Sequence, residues 1–186
     1  MKFTSLEIDG LWLAESEVHQ DNRGKFHEWF KPLELQEETG KSFSARQANS
    51  SCSTIGTLRG IHFSTSQDGQ AKWVTCSDGV ILDVVVDLRP ESKTFKKWIA
   101  TKLDAFSGNS LVISEGLGHA FLSLADNTVI NYLLSSEYSP ENEQTINPFD
   151  KDIAINWPKM EYIISDRDLN GKKLSEYLTD SINQKL

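Results

Sequence analysis

Residues 59–63 read Arg-Gly-Ile-His-Phe, and Lys72 follows shortly after them in the chain. This region places a guanidinium, an imidazole and an ammonium group close together in sequence. An imidazole is the usual protein base near neutral pH, and fixed cations suit an anionic ligand or a negative charge that develops during a reaction. Arg59, His62 and Lys72 are therefore candidates for proton transfer beside negative charge, although the same residue types also occur on ordinary strand surfaces.

Strand patterns surround this region and must position it. Residues 80–88 are rich in β-branched residues and nearly continuously apolar, and other segments have similar length and β propensity. The predicted strands are 72–76, 80–88, 98–103, 110–114, 119–123 and 129–134, separated by turn signals. Short helices are predicted at 31–39 and 173–183, and residues 147–158 suggest an irregular packed arm. The pattern predicts an all-β sandwich or barrel, best fitted by a jelly roll with a few short peripheral helices, as one domain over residues 1–186.

Arg59 and His62 are three residues apart, so a regular strand would point them to opposite faces. Gly60 lies between them and is the residue type that permits a bulge or bend. If both side chains serve one pocket, the backbone must be irregular at Gly60. The other possibility is that Arg59 lies at the pocket rim.

Asp83 and Asp87 interrupt the apolar run of residues 80–88 and share one face with Val85 by period two. A buried carboxylate needs a partner, because otherwise its pKa rises and it becomes neutral. We expect Asp83 to face a pocket, with Lys72 as its countercharge. For Asp87 a solvent-facing sheet surface is an alternative.

The net charge of −8, from 27 acidic and 19 basic residues, argues against a general nucleic-acid-binding surface, which needs a basic excess. A single small anionic ligand is still compatible, since a pocket can be locally positive on an acidic protein. The chain has no apolar run near the ~20 residues of a membrane span and no signal-peptide pattern, so a cytoplasmic location is expected. Cys52 and Cys76 are expected to be reduced thiols, and neither has the spacing of a metal site.

Several segments match one known family in the same order along most of the chain. They are Asp-Asn-Arg-Gly-Lys-Phe-His-Glu at 21–28, Gln-Ala-Asn-Ser-Ser at 47–51, Gly-Thr-Leu-Arg-Gly-Ile-His-Phe at 56–63, Gln-Ala-Lys at 70–72, Asp-Val-Val-Val-Asp-Leu-Arg at 83–89, Gly-Leu-Gly-His-Ala-Phe at 116–121, Tyr132, Tyr138 and Ile-Ser-Asp-Arg-Asp at 164–168. On these residues the chain resembles the dTDP-4-dehydrorhamnose 3,5-epimerases, which are cupin-type jelly-roll enzymes. The resemblance implies an isomerase of dTDP-rhamnose or related deoxysugar biosynthesis, as used for lipopolysaccharide or other polysaccharides.

The resemblance also implies a mechanism without a cofactor or a metal. C3 and C5 of a dTDP-4-keto-6-deoxyhexose both flank the C4 ketone, so their protons are acidified and either or both centres can be inverted. His62 matches the family's base, and Asp168 matches the carboxylate that orients it. Tyr132 matches the acid on the opposite face of the sugar. Lys72 matches the residue beside the developing oxyanion.

The nucleotide sugar is held, by the same resemblance, through a second set of residues. The positions that match the family's substrate contacts are Arg23, Phe26, Glu28, Gln47, Asn49, Arg59, His119 and Tyr138. In the family the first three lie on an N-terminal strand that crosses to the partner subunit, which implies a homodimer with composite sites. Arginine suits a diphosphate and an aromatic face suits a pyrimidine, whereas His119 could either contact the sugar or support the structure.

The chain departs from the family pattern at Ala48, Cys52, Trp73 and Ser114, where Asp, a basic residue, an aliphatic residue and Pro are usual. These departures leave open the carbon inverted, the sugar and the nucleotide. The alternatives are an epimerase acting at a single carbon or on another nucleotide-linked 4-keto sugar, and a non-catalytic cupin that binds nucleotide sugars. A metal-dependent cupin is disfavoured because His62 has no second histidine two residues later.

Overall fold

The computed structural model describes residues 1–183, which form two facing β-sheets, a separate hairpin and short helices. In chain order the strands are β1 (Lys2–Ser5), β2 (Leu11–Glu15), β3 (His19–Asp21), β4 (Gly24–Phe26), β5 (Gln47–Ser53), β6 (Thr57–Ser64), β7 (Lys72–Asp78), β8 (Val80–Asp87), β9 (Trp98–Asp104), β10 (Asn109–Ile113), β11 (Leu117–Ser123), β12 (Thr128–Leu134), β13 (Glu143–Thr145) and β14 (Ile163–Ile164). The helices are α1 (Pro32–Thr39), α2 (Asp166–Leu169) and α3 (Leu174–Asn183).

Within the described residues, each main sheet contains six strands. The first sheet has the order β1-β2-β10-β7-β12-β5, and its neighbouring strands are all antiparallel. The second has the order β13-β6-β11-β8-β9, with β14 added parallel to β6. Consecutive strands such as β7 and β8 lie in different sheets, which is the connectivity of a jelly roll. The predicted all-β jelly roll with short peripheral helices is confirmed.

Apolar side chains fill the space between the two sheets. The first sheet contributes Val74 and Cys76 from β7, and the second contributes Val85 and Phe121 from β8 and β11, all of them buried. Because side chains alternate between the faces of a strand, these residues show which positions point inward. Asp83, two residues before Val85, therefore points into the space between the sheets, as expected.

Each sheet is also covered on its outer face. Behind the first sheet, Trp73 is fully buried, its indole N–H donates to Ser110 Oγ at 2.9 Å, and its ring meets Phe30 and Phe43 edge-on. The tryptophan at this position thus fills an outer core. Behind the second sheet, the irregular arm that follows residue 146 packs Trp157 against the strands, which confirms the predicted packed arm.

Asp87 is fully buried, so the solvent-facing alternative is wrong. Its two oxygens accept hydrogen bonds from Nε and Nη2 of Arg89 at 2.9 and 2.8 Å, and the hydroxyls of Ser92 and Thr94 also donate to it. Burial alone would raise the pKa of Asp87, but these hydrogen bonds outweigh it and lower the pKa to about 2. The charged carboxylate ties the end of β8 to the loop that follows.

The six predicted strands are all present, with ends within two residues of the predicted ones. Both predicted helices are present as α1 and α3. The sequence patterns did not predict the strands β1, β2, β5, β13 and β14 or the one-turn helix α2. None of the helices in the described part of the chain has the length and apolar character needed to cross a membrane.

Candidate active site

A bulge in β6 places Arg59 and His62 on the same side of the second sheet. His62 lies opposite His119 of β11, whereas Arg59 lies opposite Phe121, so β6 has one residue more than its partner over this stretch. Gly60, with a φ of +111°, lies within this bulge. The predicted irregularity at Gly60 is confirmed, and it allows both side chains to face one site.

His62 is held by a carboxylate from the far end of the chain. Its Nε2 lies 2.6 Å from Oδ1 of Asp168, and Oδ2 of Asp168 accepts the Gly60 backbone N–H at 3.2 Å. Asp168 is in α2, where its own N–H donates to Oγ of the N-cap Ser165 at 3.1 Å. Burial would raise the pKa of Asp168, but hydrogen bonding and the charge of His62, with the bonds from Gly60 and Ser165, keep it below its ordinary value.

A second imidazole–carboxylate pair lies beside the first. His119 is the cross-strand neighbour of His62, and its Nε2 lies 2.8 Å from Oδ2 of Asp83 on β8. Both members of this pair are buried, Asp83 completely. The nearest partner of Asp83 is thus His119, and Lys72 acts on it only as a nearby charge.

The first sheet supplies Lys72 and Tyr132 from the opposite side. Lys72 is 6% exposed, and its Nζ donates to the carbonyl oxygen of His62 at 3.4 Å. Burial lowers the pKa of Lys72, and the negative charges of Glu143 and Asp83 partly offset this effect. Tyr132 is half-buried on β12 and packs against the inner core. The two sheets therefore place candidate base and candidate acid on opposite walls of one interior.

A cavity of about 550 Å³ opens beside His62 and Asp168. Its wall also includes Cys52, Arg59 and Arg167. Among the described residues, neither of these guanidinium groups forms an ion pair; Arg59 and Arg167 each make one long hydrogen bond to a hydroxyl, at 3.4 and 3.3 Å. Two unpaired arginines make this wall locally positive, as an anionic ligand requires on a chain of net charge −8.

Gln47, Asn49 and Tyr138 form a connected polar group next to this interior. The side-chain amide of Gln47 donates to Oδ1 of Asn49 at 2.8 Å, and its Oε1 accepts the backbone N–H of Tyr138 at 2.8 Å. Asn49 is the cross-strand partner of Tyr132, and the side chain of Tyr138 is about half exposed. These residues thus lie within one strand spacing of the candidate acid and leave an aromatic ring accessible.

Arg23, Phe26 and Glu28 lie elsewhere, on or just after the β3–β4 hairpin. Phe26 is 64% exposed, and Arg23 pairs with Asp21 of the same hairpin. Glu28 pairs with Lys31. None of the three lines the cavity beside His62 within the described chain. Of the predicted site residues, Arg59, His62 and Asp168 line this cavity. Lys72 and His119 are next to His62 through a hydrogen bond and strand pairing, and Gln47, Asn49 and Tyr138 are linked to one another beside Tyr132. The three residues of the hairpin region have no such connection within the described chain.

Comparison with known proteins decides the family. The model of the dTDP-4-dehydrorhamnose 3,5-epimerase family matches residues 5–176. The chain belongs to this family. A dTDP-4-dehydrorhamnose 3,5-epimerase from Mycolicibacterium smegmatis is 45% identical over 95% of this chain and 87% of the relative. A dTDP-4-dehydro-6-deoxyglucose 3-epimerase from Streptomyces is 43% identical, covering 91% and 87%.

A solved structure gives the same result. The structure of a 3'-monoepimerase from Streptomyces bikiniensis in complex with dTDP-quinovose superposes with a TM-score of 0.89 and 40% identity, covering 97% of this chain and 95% of that one. The predicted isomerase activity and cupin-type fold of this dTDP-4-dehydrorhamnose 3,5-epimerase family member are confirmed. Within residues 1–183, no group of three or more His, Cys, Asp or Glu side chains is placed to hold a metal ion.

The structure of this epimerase adds two charged residues that sequence reasoning did not single out. Arg167 lines the cavity, and its position directly before Asp168 in a matched segment was the available signal. Glu143 acts electrostatically on Lys72 from β13, a strand of three residues that shows no pattern of its own. Only the pairing of β13 with β6 brings that charge to the site.

Proposed function

We propose that the protein inverts C3, C5 or both in a dTDP-linked 4-keto-6-deoxyhexose by abstracting a proton next to the C4 ketone. The observation that carries this proposal is the His62–Asp168 pair at 2.6 Å, beside a buried lysine and a cavity with two unpaired arginines. The names of the relatives support it, since they include both 3,5-epimerases and 3-epimerases of dTDP-linked sugars.

His62 is the base in this proposal. Asp168 accepts a hydrogen bond from Nε2, so the neutral imidazole carries its proton there and presents a lone pair on Nδ1. When Nδ1 takes a proton from the sugar, the carboxylate stabilises the imidazolium that forms. Because the pKa of Asp168 lies below its ordinary value, Asp168 stays ionised and does not compete for that proton.

Lys72 stabilises the enolate that the abstraction creates. Its ammonium group is buried between the sheets, where a fixed charge at a developing oxyanion contributes on the order of several kcal/mol. Burial lowers the pKa of Lys72, while Glu143 and Asp83 help to keep the proton on it. The backbone carbonyl of His62 accepts a hydrogen bond from Nζ and holds the lysine close to the base.

Tyr132 returns a proton to the other face of the sugar. Inversion needs an acid on the side opposite the base, and Tyr132 comes from the sheet that faces His62. We assign the diphosphate to Arg59 and Arg167, because guanidinium groups bind phosphate oxygens in pairs. Gln47, Asn49 and the accessible ring of Tyr138 take the nucleotide, and His119 contacts the sugar.

Incubating the protein with dTDP-4-keto-6-deoxyglucose in deuterated water tests the reaction. We expect deuterium at C3, C5 or both, measured separately at each carbon by NMR or mass spectrometry. Exchange at both carbons indicates a 3,5-epimerase, and exchange at C3 alone indicates a 3-epimerase, as in one of the named relatives. Intact substrate and folded protein without exchange at either carbon would reject epimerisation and favour a binding protein.

We also propose that the protein acts in the cytoplasm as a single-domain chain that forms a homodimer, with the β3–β4 hairpin completing the partner's site. The support is geometric. Arg23, Phe26 and Glu28 are exposed and do not line the His62 cavity of their own chain, although the guanidinium of Arg23 suits a diphosphate and the ring of Phe26 suits a base. A twofold dimer could bring each hairpin to the neighbouring cavity.

Coexpression of two inactive variants tests the composite site. Arg23→Ala and His62→Asn each remove one half of the proposed site. In a mixed dimer, one site contains both substitutions and the other contains neither, so a preparation with equal subunits should regain about a quarter of wild-type activity. Purification with two different affinity tags isolates the mixed dimer. A mixed dimer as inactive as its parents would show that each site is built from one chain.

A further inference from the structure

In the proposed mechanism Asp83 acts only as a negative charge near Lys72, and its contact with His119 has no role there. It is completely buried on the inner face of β8, where an ionised carboxylate is costly unless it is fully paired. One oxygen, Oδ2, binds His119, but within the described residues Oδ1 has no hydrogen-bond partner. Packing alone does not account for a carboxylate at this position.

The arrangement around Asp83 repeats that around Asp168. His62 and His119 are neighbours across adjacent strands, and each binds a buried carboxylate through Nε2. The two carboxylates come from unrelated elements, α2 and β8. An imidazole bound in this way keeps its proton on Nε2 and leaves Nδ1 for a different interaction. The same chemical state is therefore imposed on two imidazoles that lie side by side.

Asp83 also acts on Lys72. Burial lowers the pKa of Lys72, and Asp83 is one of two negative charges that oppose this effect, the other being Glu143. The titratable or charged groups facing inward on the elements packed around Lys72 are Arg59 and His62 on β6, Asp83 and Asp87 on β8, His119 on β11, Tyr132 on β12 and Glu143 on β13. Removal of Asp83 would leave Glu143 as the main support for the charge of the lysine.

We propose that Asp83 is a positioning residue that fixes the proton of His119 on Nε2 and holds the positive charge of Lys72 beside the sugar, without touching the sugar itself. The expected effect of Asp83 on kcat rests on the proposed epimerisation. The tautomer of His119 is independent of that reaction and can be measured without substrate.

The kinetic test is Asp83→Asn. The value of kcat should fall by about 10- to 100-fold, as for carboxylates that orient a histidine through a hydrogen bond, while the affinity for dTDP, which lacks the sugar, stays unchanged. The alkaline limb of the pH–kcat profile should move to lower pH, because loss of a negative charge lowers the pKa of Lys72 further. A variant with unchanged kcat and an unmoved alkaline limb would overturn the proposal.

Asp87→Asn is the matched control. It changes another buried carboxylate of β8 that binds Arg89 and no imidazole. This variant should lower the thermal midpoint but keep the kcat of the folded enzyme and its alkaline limb. If Asp87→Asn moves the pH profile as far as Asp83→Asn does, the effect comes from distortion of β8, and the positioning role is rejected.

Imidazole ¹⁵N NMR tests the tautomer directly. The chain has four histidines, so His119→Gln identifies the resonance of His119. The wild-type protein should show the proton on Nε2 over the range in which His119 is neutral, and Asp83→Asn should show a mixture of tautomers. A wild-type proton on Nδ1 overturns the proposal, even if Asp83→Asn does not fold. Absence of deuterium exchange in the wild-type protein would reject the reaction but not the tautomer.

Discussion

Replacing His62 by Asn is expected to lower the rate of deuterium incorporation at C3 and C5 by about 10³-fold. An amide cannot hold the abstracted proton, so the enolate no longer forms at a useful rate. The affinity for dTDP should stay within about twofold, since the proposed nucleotide contacts lie on other side chains. Exchange is followed by NMR with saturating substrate, and dTDP binding is measured by calorimetry on the same preparation.

His27→Asn is the control for this experiment. His27 packs beside Gly108 of its own chain, and no substrate contact or proton transfer is assigned to its ring. The control should keep wild-type exchange rates, which shows that loss of an imidazole as such is harmless. If His62→Asn still exchanges at more than about a tenth of the wild-type rate while remaining folded, His62 is not the base.

Six strands of the two sheets could be predicted because their cause is local. Residues 80–88 alternate between two buried faces, and the turns between strands carry Gly, Asn, Asp and Pro. The bend at Gly60 was also accessible from sequence, since two polar side chains three residues apart need an irregular strand to share a face. These features depend on residues that are close together in the chain, so sequence patterns predict them.

The pairings inside the site depend on register, which the sequence does not display. Asp168 reaches His62 across 106 residues only because Ser165 caps a one-turn helix that no periodicity predicts. Asp83 was expected to pair with Lys72, but the register of β8 against β11 gives it His119 instead. The resemblance identified Asp168 as the partner of His62, whereas the partner of Asp83 and the positions of Arg167 and Glu143 at the site followed only from the fold.

Two of the departures from the family pattern, Trp73 and Cys52, can be understood from the structure. Trp73 packs in an outer core of aromatic rings. The residues next to Trp73 in the chain do not indicate this core. Cys52 is exposed in the wall of the cavity with Arg59 and Arg167. Those two guanidinium groups supply positive charge where a basic residue at position 52 is missing. A phosphate-binding role for this wall is thus compatible with a cysteine there.

Replacing Gly60 by Ala should lower the free energy of unfolding by about 2–4 kcal/mol. At φ of +111° an L side chain is strained, and a Cβ would lie 2.6 Å from the carbonyl oxygen of His119 and 2.7 Å from Cβ of Ala120. Both contacts are with β11, the neighbouring strand of the same sheet, so neither can relax by a side-chain rotation. Urea denaturation of the variant and the wild-type protein measures the difference.

Gly24→Ala separates the two contributions to this loss. Gly24 has a φ of +127°, close to that of Gly60, but a Cβ there would have no atom within 4 Å. The backbone strain alone should cost about 1 kcal/mol, so the remainder of the Gly60→Ala loss measures the close approach of β6 to β11. Equal losses in the two variants would show that the bulge tolerates a methyl group. A larger loss at Gly60, together with slower exchange, would show that the backbone contact with His119 keeps His62 and Arg59 in one site.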